Sequence, residues 1–493
     1  MEILSGVEHG VEGVGKKAGD GVVAGFIKVG GRRVAVYAHD PTFLGGSLGS
    51  VGIKKLAHLY RLALRQGVPV VGFSDSSGAR LQEGPLSLMA VGELFQAIHD
   101  AVGRIPMVTA VVGGCVGGAA YSAVLGDFVI GCTNSGYMFI NGPRAVKHFT
   151  GKDVSVQELG GVELHARMSG AIDLLASDEA EAANLVRTIL SYLPSNHLEQ
   201  PPTKHSNDPH DRECRLQLDE VYDVRSVVLE IFDVGSVLEL KQLYAPNIFT
   251  GLARLDGVPV GVVANQPKHM QGCIDIHAAR KVSKFIRICS SFNIPLVTLV
   301  DTAGFAAGPE QELNGLVQST SKIFTAYLGA RVPKVSVLLG KAYGGAYIAM
   351  CSKGLGADYV VGLERSEVAV LQPELAAEII FRKQLETLTE DKRREEIAKF
   401  AGSLRERFSG EKLLALGVVD TVVEPEQLRR SLARVVKDLF ESYVKKIRAD
   451  QDLSIPSESF LKAVHRELHD SCPNLSNAGH PMGYACVGYG GQT

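Results

Sequence analysis

The sequence predicts an α/β chain built from two like domains in tandem, and three observations carry that reading. Apolar, β-branched runs alternate with helix-period runs in the same order twice along the 493 residues. Matching segments lie at a nearly constant offset: Gly25 of GFIKVGGRRVAV aligns with Gly251 of GLARLDGVPVGV, Pro69 with Pro295, and Gly118 with Gly345. Each half also carries a strand that runs into paired glycines and a small-residue helix, PMVTAVVGGCVGGAAYSAVL at 106–125 and VPKVSVLLGKAYGGAYIAM at 332–350. So long a period denotes duplicated domains, since solenoid repeats are far shorter.

The elements follow in order. Residues 22–29 and 34–38 around Gly30-Gly31, and 250–255 and 258–264 around Asp256-Gly257, read as hairpins. A glycine-bearing loop comes next, Gly45-Gly46-Ser47 and Gly272-Cys273, and then an amphipathic helix, 51–66 and 278–292. Proline-led strands at 69–74 and 295–300 finish in Asp75-Ser76-Ser77-Gly78-Ala79 and Asp301-Thr302-Ala303-Gly304-Phe305. Residues 194–215 mix proline, histidine and charge without apolar periodicity, as a linker does. Beyond Phe381 the pattern turns to charged helices: 382–408 alternates in sign, and 427–447 spaces Leu428, Leu432, Val435, Val436 and Leu439 helically. The expected partition is an N-terminal domain 1–195, a linker 196–215, a C-terminal domain with a helical end 216–448, and an extended or mobile tail 449–493.

Composition narrows the function. Hydrophobic residues make up 45% of the chain, enough for sizeable cores, and a net charge of −3 gives no general attraction for nucleic acid or anionic membrane. Eight cysteines without a CxxC pair suggest reduced thiols and a cytoplasmic protein, and the N-terminus has no secretory apolar core. Residues 105–126 hold 22 positions without a charge, long enough to span a bilayer. Their counterpart contains Lys334 and Lys341, and the first copy holds Pro106 and five glycines, so strand, turn and helix is the better reading and no membrane insertion is expected.

Glycine pairs at a helix start allow a sharp turn and leave the first amides pointing outward, with the positive end of the helix dipole behind them. Together with the loop after the proline-led strand, each half would present two groups of main-chain donors able to form an oxyanion hole. There is no dinucleotide fingerprint after a first strand, no phosphate-binding GxxxxGK[ST] loop and no HExxH, and no nucleophile elbow is expected. Ser76 and Ser122 have no histidine placed to activate them, Asp75 and Glu83 read as loop caps, and the tail residues His465, His469, Cys472 and Cys486 lack metal-site spacing, so no metal is expected.

These residues resemble a family. GGSLG at 45–49, DSSGARLQEG at 75–84, GGCVGGAAYS at 113–122, ELGG at 158–161, YLPSN at 192–196, NQP at 265–267, GCIDI at 272–276, FNIPL at 292–296 and KAYGGAY at 341–347 are similar to the carboxyltransferase (β) subunit of biotin-dependent acyl-CoA carboxylases, propionyl-CoA carboxylase type. The resemblance implies a crotonase-like (ββα superhelix) fold in each half. It implies transfer of a carboxyl group from carboxybiotin to the α-carbon of a short acyl-CoA through enolates held in two oxyanion holes. One hole maps to Gly117, Gly118 and Ala119 with Gly78 and Ala79, for acyl-CoA; the other maps to Gly345 and Ala346 with Gly304 and Phe305, for carboxybiotin. Ile348 stands where propionyl-type members carry an acidic residue by the acyl pocket, which opens the choice of acyl chain. Ala349-Met350-Cys351 is not a biotinylation site, so biotin is expected on a separate carrier protein, with a biotin carboxylase subunit as partner and a homo-oligomer, a hexamer by resemblance. The same site run in reverse would serve an acyl-CoA decarboxylase; a crotonase-type hydratase or isomerase and a non-catalytic assembly subunit are the further alternatives.

Overall fold

A computed structural model describes residues 2–3 and 19–454. The first half forms an eight-stranded sheet: β1 (Glu2–Ile3), β2 (Val22–Val29), β3 (Arg32–His39), β4 (Val70–Ser76), β5 (Met107–Val116), β6 (Phe128–Cys132), β7 (Tyr137–Phe139) and β8 (Leu174–Ala176). The second half repeats it as β9 (Leu238–Leu240), β10 (Ile248–Leu255), β11 (Val258–Asn265), β12 (Leu296–Thr302), β13 (Lys334–Tyr343), β14 (Tyr359–Leu363), β15 (Glu367–Ala369) and β16 (Thr421–Val423). The strand orders, β1-β2-β3-β4-β5-β6-β8 and β9-β10-β11-β12-β13-β14-β16, correspond one for one, with β7 added to β5 and β15 to β13. Hairpin pairs are antiparallel, and from β3 and β11 onward the ladders are parallel. Helices cover these strands, so they are apolar on both faces; every residue of Leu296–Thr302 is buried. The expected α/β tandem of crotonase-like halves is therefore present strand for strand.

The helices sit where periodicity places them, Ser50–Gln66 and Ile276–Ser291 after the two hairpins. The second opens on Asp275, whose side chain accepts from the Ala278 amide; the first has no such cap, and Glu83 substitutes by accepting from the Ser50 amide (2.7 Å).

The halves share a core. Val71, Phe128 and Ile130 of the first sheet and Ile189 of helix Glu179–Tyr192 belong to one buried cluster with Leu252, Phe285 and Leu338 of the second half. Polar bonds reinforce the contact. Lys241 pairs with Asp173 (3.0 Å), both nearly buried, and the Arg254 guanidinium donates to the Ser191 carbonyl (2.7 Å) while lying over the Tyr192 ring. Lys281, 2% exposed, donates to the carbonyls of Lys241, Tyr244 and Ile248 and so pins the turn between β9 and β10.

The linker has no regular element between Tyr192 and Val224 but is tied down. Arg429, fully buried, donates to the Pro209 carbonyl (3.0 Å) and to Asp233 (2.7 Å). By compactness the chain divides into residues 1–443, which hold both halves, and 444–493. Helix Leu428–Ser454 runs six residues into the stretch expected to be extended, and the tail histidines and cysteines lie outside the described residues.

Two stability outcomes follow. Arg429→Met leaves the buried Asp233 without its charge partner, held only by the Asp256 and Gly257 amides, and is expected to cost about 3 kcal/mol, read as a lower urea midpoint. His39 is half-buried, yet both its ring nitrogens are shut from solvent without a partner, and burial lowers its pKa to about 4. Below pH 6.5 the unfolded imidazole takes a proton that the folded one refuses. Its contribution is therefore complete above pH 6.5 and is lost as pH falls towards 4, by up to about 3 kcal/mol. Comparing the unfolding of wild type and His39→Leu at pH 7 and pH 4.5 isolates that difference.

Candidate functional site

Both proline-led strands end in the same irregularity. The parallel register of β4 on β5 breaks between Ser74 and Ser76, and that of β12 on β13 breaks between Val300 and Thr302. The aspartate at the break replaces the missing ladder bond: Asp75 accepts from the Gly114 amide (2.9 Å), and Asp301 from the Lys341 amide (3.1 Å) and the Tyr222 hydroxyl (3.0 Å). Glycine is needed opposite each carboxylate, since a Cβ at Gly113 or Gly340 would come within 2.3 or 2.6 Å of it. Burial holds the Asp301 carboxyl above its usual range, against the lowering effect of those bonds. These aspartates are structural, as is Glu83, which is bonded to Ser50 and Arg80.

The break turns each following loop onto the preceding glycine loop. Leu48 pairs with Ala79, and Ile274 with Phe305. Within these loops the Gly78 amide donates to the Ser76 hydroxyl and the Gly304 amide to the Thr302 hydroxyl, both at 3.2 Å. The amides of Ala79 and Phe305 meet no acceptor among the described residues. Each loop therefore offers one donor where the sequence suggested two.

The glycine turns behave likewise. Gly117 adopts φ 54°, ψ −115°, which suits glycine alone, and its amide donates to the Phe139 carbonyl (3.0 Å). It forms the turn and is not a free donor. Helix Gly118–Leu125 makes its first bond from the Tyr121 amide to the Gly117 carbonyl, which leaves the Gly118 and Ala119 amides unpaired among the described residues. In the second half Gly344 has φ 61° and precedes the Gly345 and Ala346 amides of helix Gly344–Ala349, which likewise meet no acceptor. Each turn lies against the side chains of the facing loops. A Cβ at Gly345 would sit 2.8 Å from the Phe305 ring, and one at Gly118 would sit 3.8 Å from the Leu48 side chain that flanks Ala79.

In the second half these groups open into a cavity of about 590 Å³ lined by Gly304, Phe305, Gly344, Gly345, Tyr343 and Gln271 among others, with no charged side chain in its wall. Ala346 is buried behind it. Ile348, 45% exposed, lines an adjoining apolar cavity of about 680 Å³ with Tyr347, Ile379, Ile380 and Phe408. The two serines that the sequence leaves without an activating histidine are held in the fold: Ser122 donates to the Gly118 carbonyl (2.9 Å), and Ser76 is fully buried. Gly45-Gly46-Ser47-Leu48-Gly49 has the spacing of a nucleophile elbow, contrary to the expectation that the chain carries none, but the Ser47 hydroxyl accepts from Arg80 (3.1 Å). Among the described residues no group of three His, Cys, Asp or Glu side chains could hold a metal, and no helix is long and apolar enough to cross a membrane.

The carboxyl transferase domain family matches residues 2–448. This chain belongs to the carboxyl transferase family. Relatives of this carboxyltransferase include the methylmalonyl-CoA decarboxylase subunit alpha of Veillonella parvula, 42% identical over 83% of this chain and 80% of that one. Another is the propionyl-CoA carboxylase, carboxyltransferase subunit, of Haloferax mediterranei, 41% identical over 86% and 83%. A crystal structure of transcarboxylase 12S, a hexamer with methylmalonyl-coenzyme A and methylmalonic acid bound, superposes with a TM-score of 0.82 at 39% identity, covering 88% of this chain and 86% of that one. The carboxyltransferase is thus an enzyme whose fold matches solved members of its family.

Gly345→Ala places a methyl group 2.8 Å from the Phe305 ring, so the turn carrying the Gly345 and Ala346 amides and the loop carrying the Phe305 amide are expected to shift apart. Carboxyl transfer is expected to fall by about 10²- to 10³-fold, with acyl-CoA affinity unchanged. Steady-state kinetics and equilibrium binding of CoA measure the two effects.

Proposed function

We propose that this carboxyltransferase moves a carboxyl group between carboxybiotin and the α-carbon of a short acyl-CoA, with the acyl thioester at the first half and carboxybiotin at the second half of a neighbouring protomer. The observation that carries the reading is the repeated set of three unpaired donors, Ala79 with Gly118 and Ala119, and Phe305 with Gly345 and Ala346. The uncharged wall of the second cavity fits a neutral bicyclic ring with one polar oxygen directed at the amides.

When bound, carboxybiotin supplies the CO₂ and afterwards the base that removes the α-proton of the thioester. The Phe305, Gly345 and Ala346 amides hold the negative charge left on the ureido oxygen as CO₂ departs. The Ala79, Gly118 and Ala119 amides hold the thioester oxygen as the α-proton leaves, and the resulting carbon nucleophile bonds to CO₂. Preorganised dipoles of this kind act without reorienting during the reaction. Neither step requires an acidic or basic side chain, which agrees with Asp75, Asp301 and Glu83 being taken up in structural bonds.

Biotin is carried by a separate carrier protein loaded by a biotin carboxylase subunit, and the carboxyltransferase works as a cytoplasmic homo-oligomer, a hexamer as transcarboxylase 12S is. The Veillonella relative, a decarboxylase subunit, favours a second reading in which the same two sites run in reverse. Direction then depends on the partner subunits.

Incubation with labelled free carboxybiotin and a panel of acetyl-, propionyl- and butyryl-CoA is expected to place label on the α-carbon of at least one; no transfer to any of them overturns the proposal. The trans arrangement has its own test. Mixed oligomers of Gly118→Val and Gly345→Val subunits should regain part of the activity that each variant lacks alone, because some contacts pair two intact halves. Without any regain, the site lies within one protomer.

A further inference from the structure

The second half carries a long helix where the first half has one turn and a little more. Bridges mark the equivalent ends, Tyr137 of β7 with Gly161 and Glu367 of β15 with Ser409. Ahead of Gly161 lies the five-residue helix Val156–Gly160, whereas ahead of Ser409 lies the eighteen-residue helix Glu390–Arg407. That helix reads EDKRREEIAKFAGSLRER, and Ala401 is its one buried residue. It is held at a few points. The Phe400 ring stacks on Phe381 with centroids 3.7 Å apart, the Val368 amide donates to the Phe408 carbonyl just past the helix (3.0 Å), and the Arg405 guanidinium in the last turn reaches two carboxylates.

Arg405 Nε lies 3.3 Å from Glu367 Oε2, and Nη2 lies 2.5 Å from Glu374 Oε1. Glu374 stands in the first turn of helix Pro373–Ile380, which lines the second cavity at its start through Gln372 and Leu375. Glu367, mostly buried, accepts in turn from the Tyr343 hydroxyl. Tyr343 is itself buried, ends β13 and immediately precedes Gly344, at the turn that presents the Gly345 and Ala346 amides. One guanidinium thus completes a path of polar contacts from an outer helix to the donors. The first half is built otherwise. There Tyr137 takes the place of Glu367, Val116 that of Tyr343 and, on the counterpart helix Pro143–Thr150, Arg144 that of Glu374, so the same path cannot form.

Resting on the assignment of carboxybiotin to the second half, we infer that Arg405 is a positioning residue for the donors of that half, acting through Glu367 and Tyr343 on the Gly344 turn. Two carboxylates brought to one place repel each other unless a cation stands between them, and a planar guanidinium serves both at once where an ammonium serves one. Without Arg405, Glu367 turns towards water and the Tyr343 hydroxyl is left buried without a partner. The residue before the turn must then move to recover a hydrogen bond. Donors aimed at a charge that develops during the reaction lose their effect when displaced by a fraction of their bonding distance. The first half has neither the helix nor the clamp and keeps its geometry.

The test combines steady-state transfer from free carboxybiotin, equilibrium binding of CoA, and amide hydrogen exchange read by mass spectrometry on the full chain. For Arg405→Met, kcat should fall roughly 10- to 100-fold, with KM for carboxybiotin and Kd for CoA kept. Exchange should quicken in peptides covering 341–350 and stay as in wild type over 113–122. Tyr343→Phe should give a loss of the same kind, and joining it to Arg405→Met should cost no more than the larger single loss, because both act along one path. Arg405→Lys, which keeps the charge without the fork, should recover part of the rate. An Arg405→Met enzyme with wild-type kcat and wild-type exchange at 341–350 overturns the inference, and so do losses that multiply in the double variant. A variant that loses CoA affinity and protection throughout the chain also overturns it, since that marks a merely structural residue. If wild type transfers no carboxyl group the proposed reaction fails, and the exchange difference at 341–350 still decides whether Arg405 holds the turn.

Discussion

The structure depends on a side-chain carboxylate doing the work of a backbone carbonyl. Where β4 and β12 fall out of register with their neighbours, Asp75 and Asp301 accept the amides of Gly114 and Lys341 that the ladder leaves open. An amide left unpaired at such depth would cost a few kcal/mol, and the bulge would not persist. With the bond made, the strand peels away from the sheet and its last residues meet the loop before the first long helix. The Ala79 and Phe305 amides are brought to the glycine turns by that departure. Each carboxylate therefore acts by holding the main chain, as the loop-cap reading of Asp75 anticipates.

Much of this could be read from the residues. The duplication, the hairpins, the proline-led strands and both glycine turns follow from periodicity, because parallel strands buried on both faces leave an unmistakable apolar run. Which amides stay free could not be read. Gly117 looks like Gly118 in sequence, and only the Phe139 carbonyl, brought over by a three-residue strand pairing with β5, distinguishes them. The same holds for Gly78 and Gly304, whose amides are taken by hydroxyls two residues back. Such turns are local, but their competition with a ligand is visible only when every donor is accounted for. The charge reversal between Arg144 and Glu374 was present in the sequence and becomes meaningful once the two helices are known to be equivalent.

The duplicated scaffold is conservative in its backbone and free in its side chains. Strand order, bulge, glycine turn and flanking helix recur, so both halves present unpaired main-chain amides at the same place among the described residues. What differs is the surroundings: an apolar hollow at Ile348, Ile379 and Phe408 and the carboxylates held by Arg405 beside one turn, and Tyr137 and Arg144 in place of those carboxylates beside the other. The side chains around each turn are therefore free to differ while the backbone that presents the amides is kept.

The buried cluster that runs from Phe128 and Ile189 into Phe285 and Leu338 has a mechanical consequence. Domains joined by a thin polar contact bend as jaws around a ligand, but modules that share one apolar interior, cross-pinned by Lys241 on Asp173 and by Arg254 on Ser191, move as a solid block. The distance between the chain's two glycine turns is thus set once, when the polypeptide folds, and no hinge between the halves adjusts it afterwards.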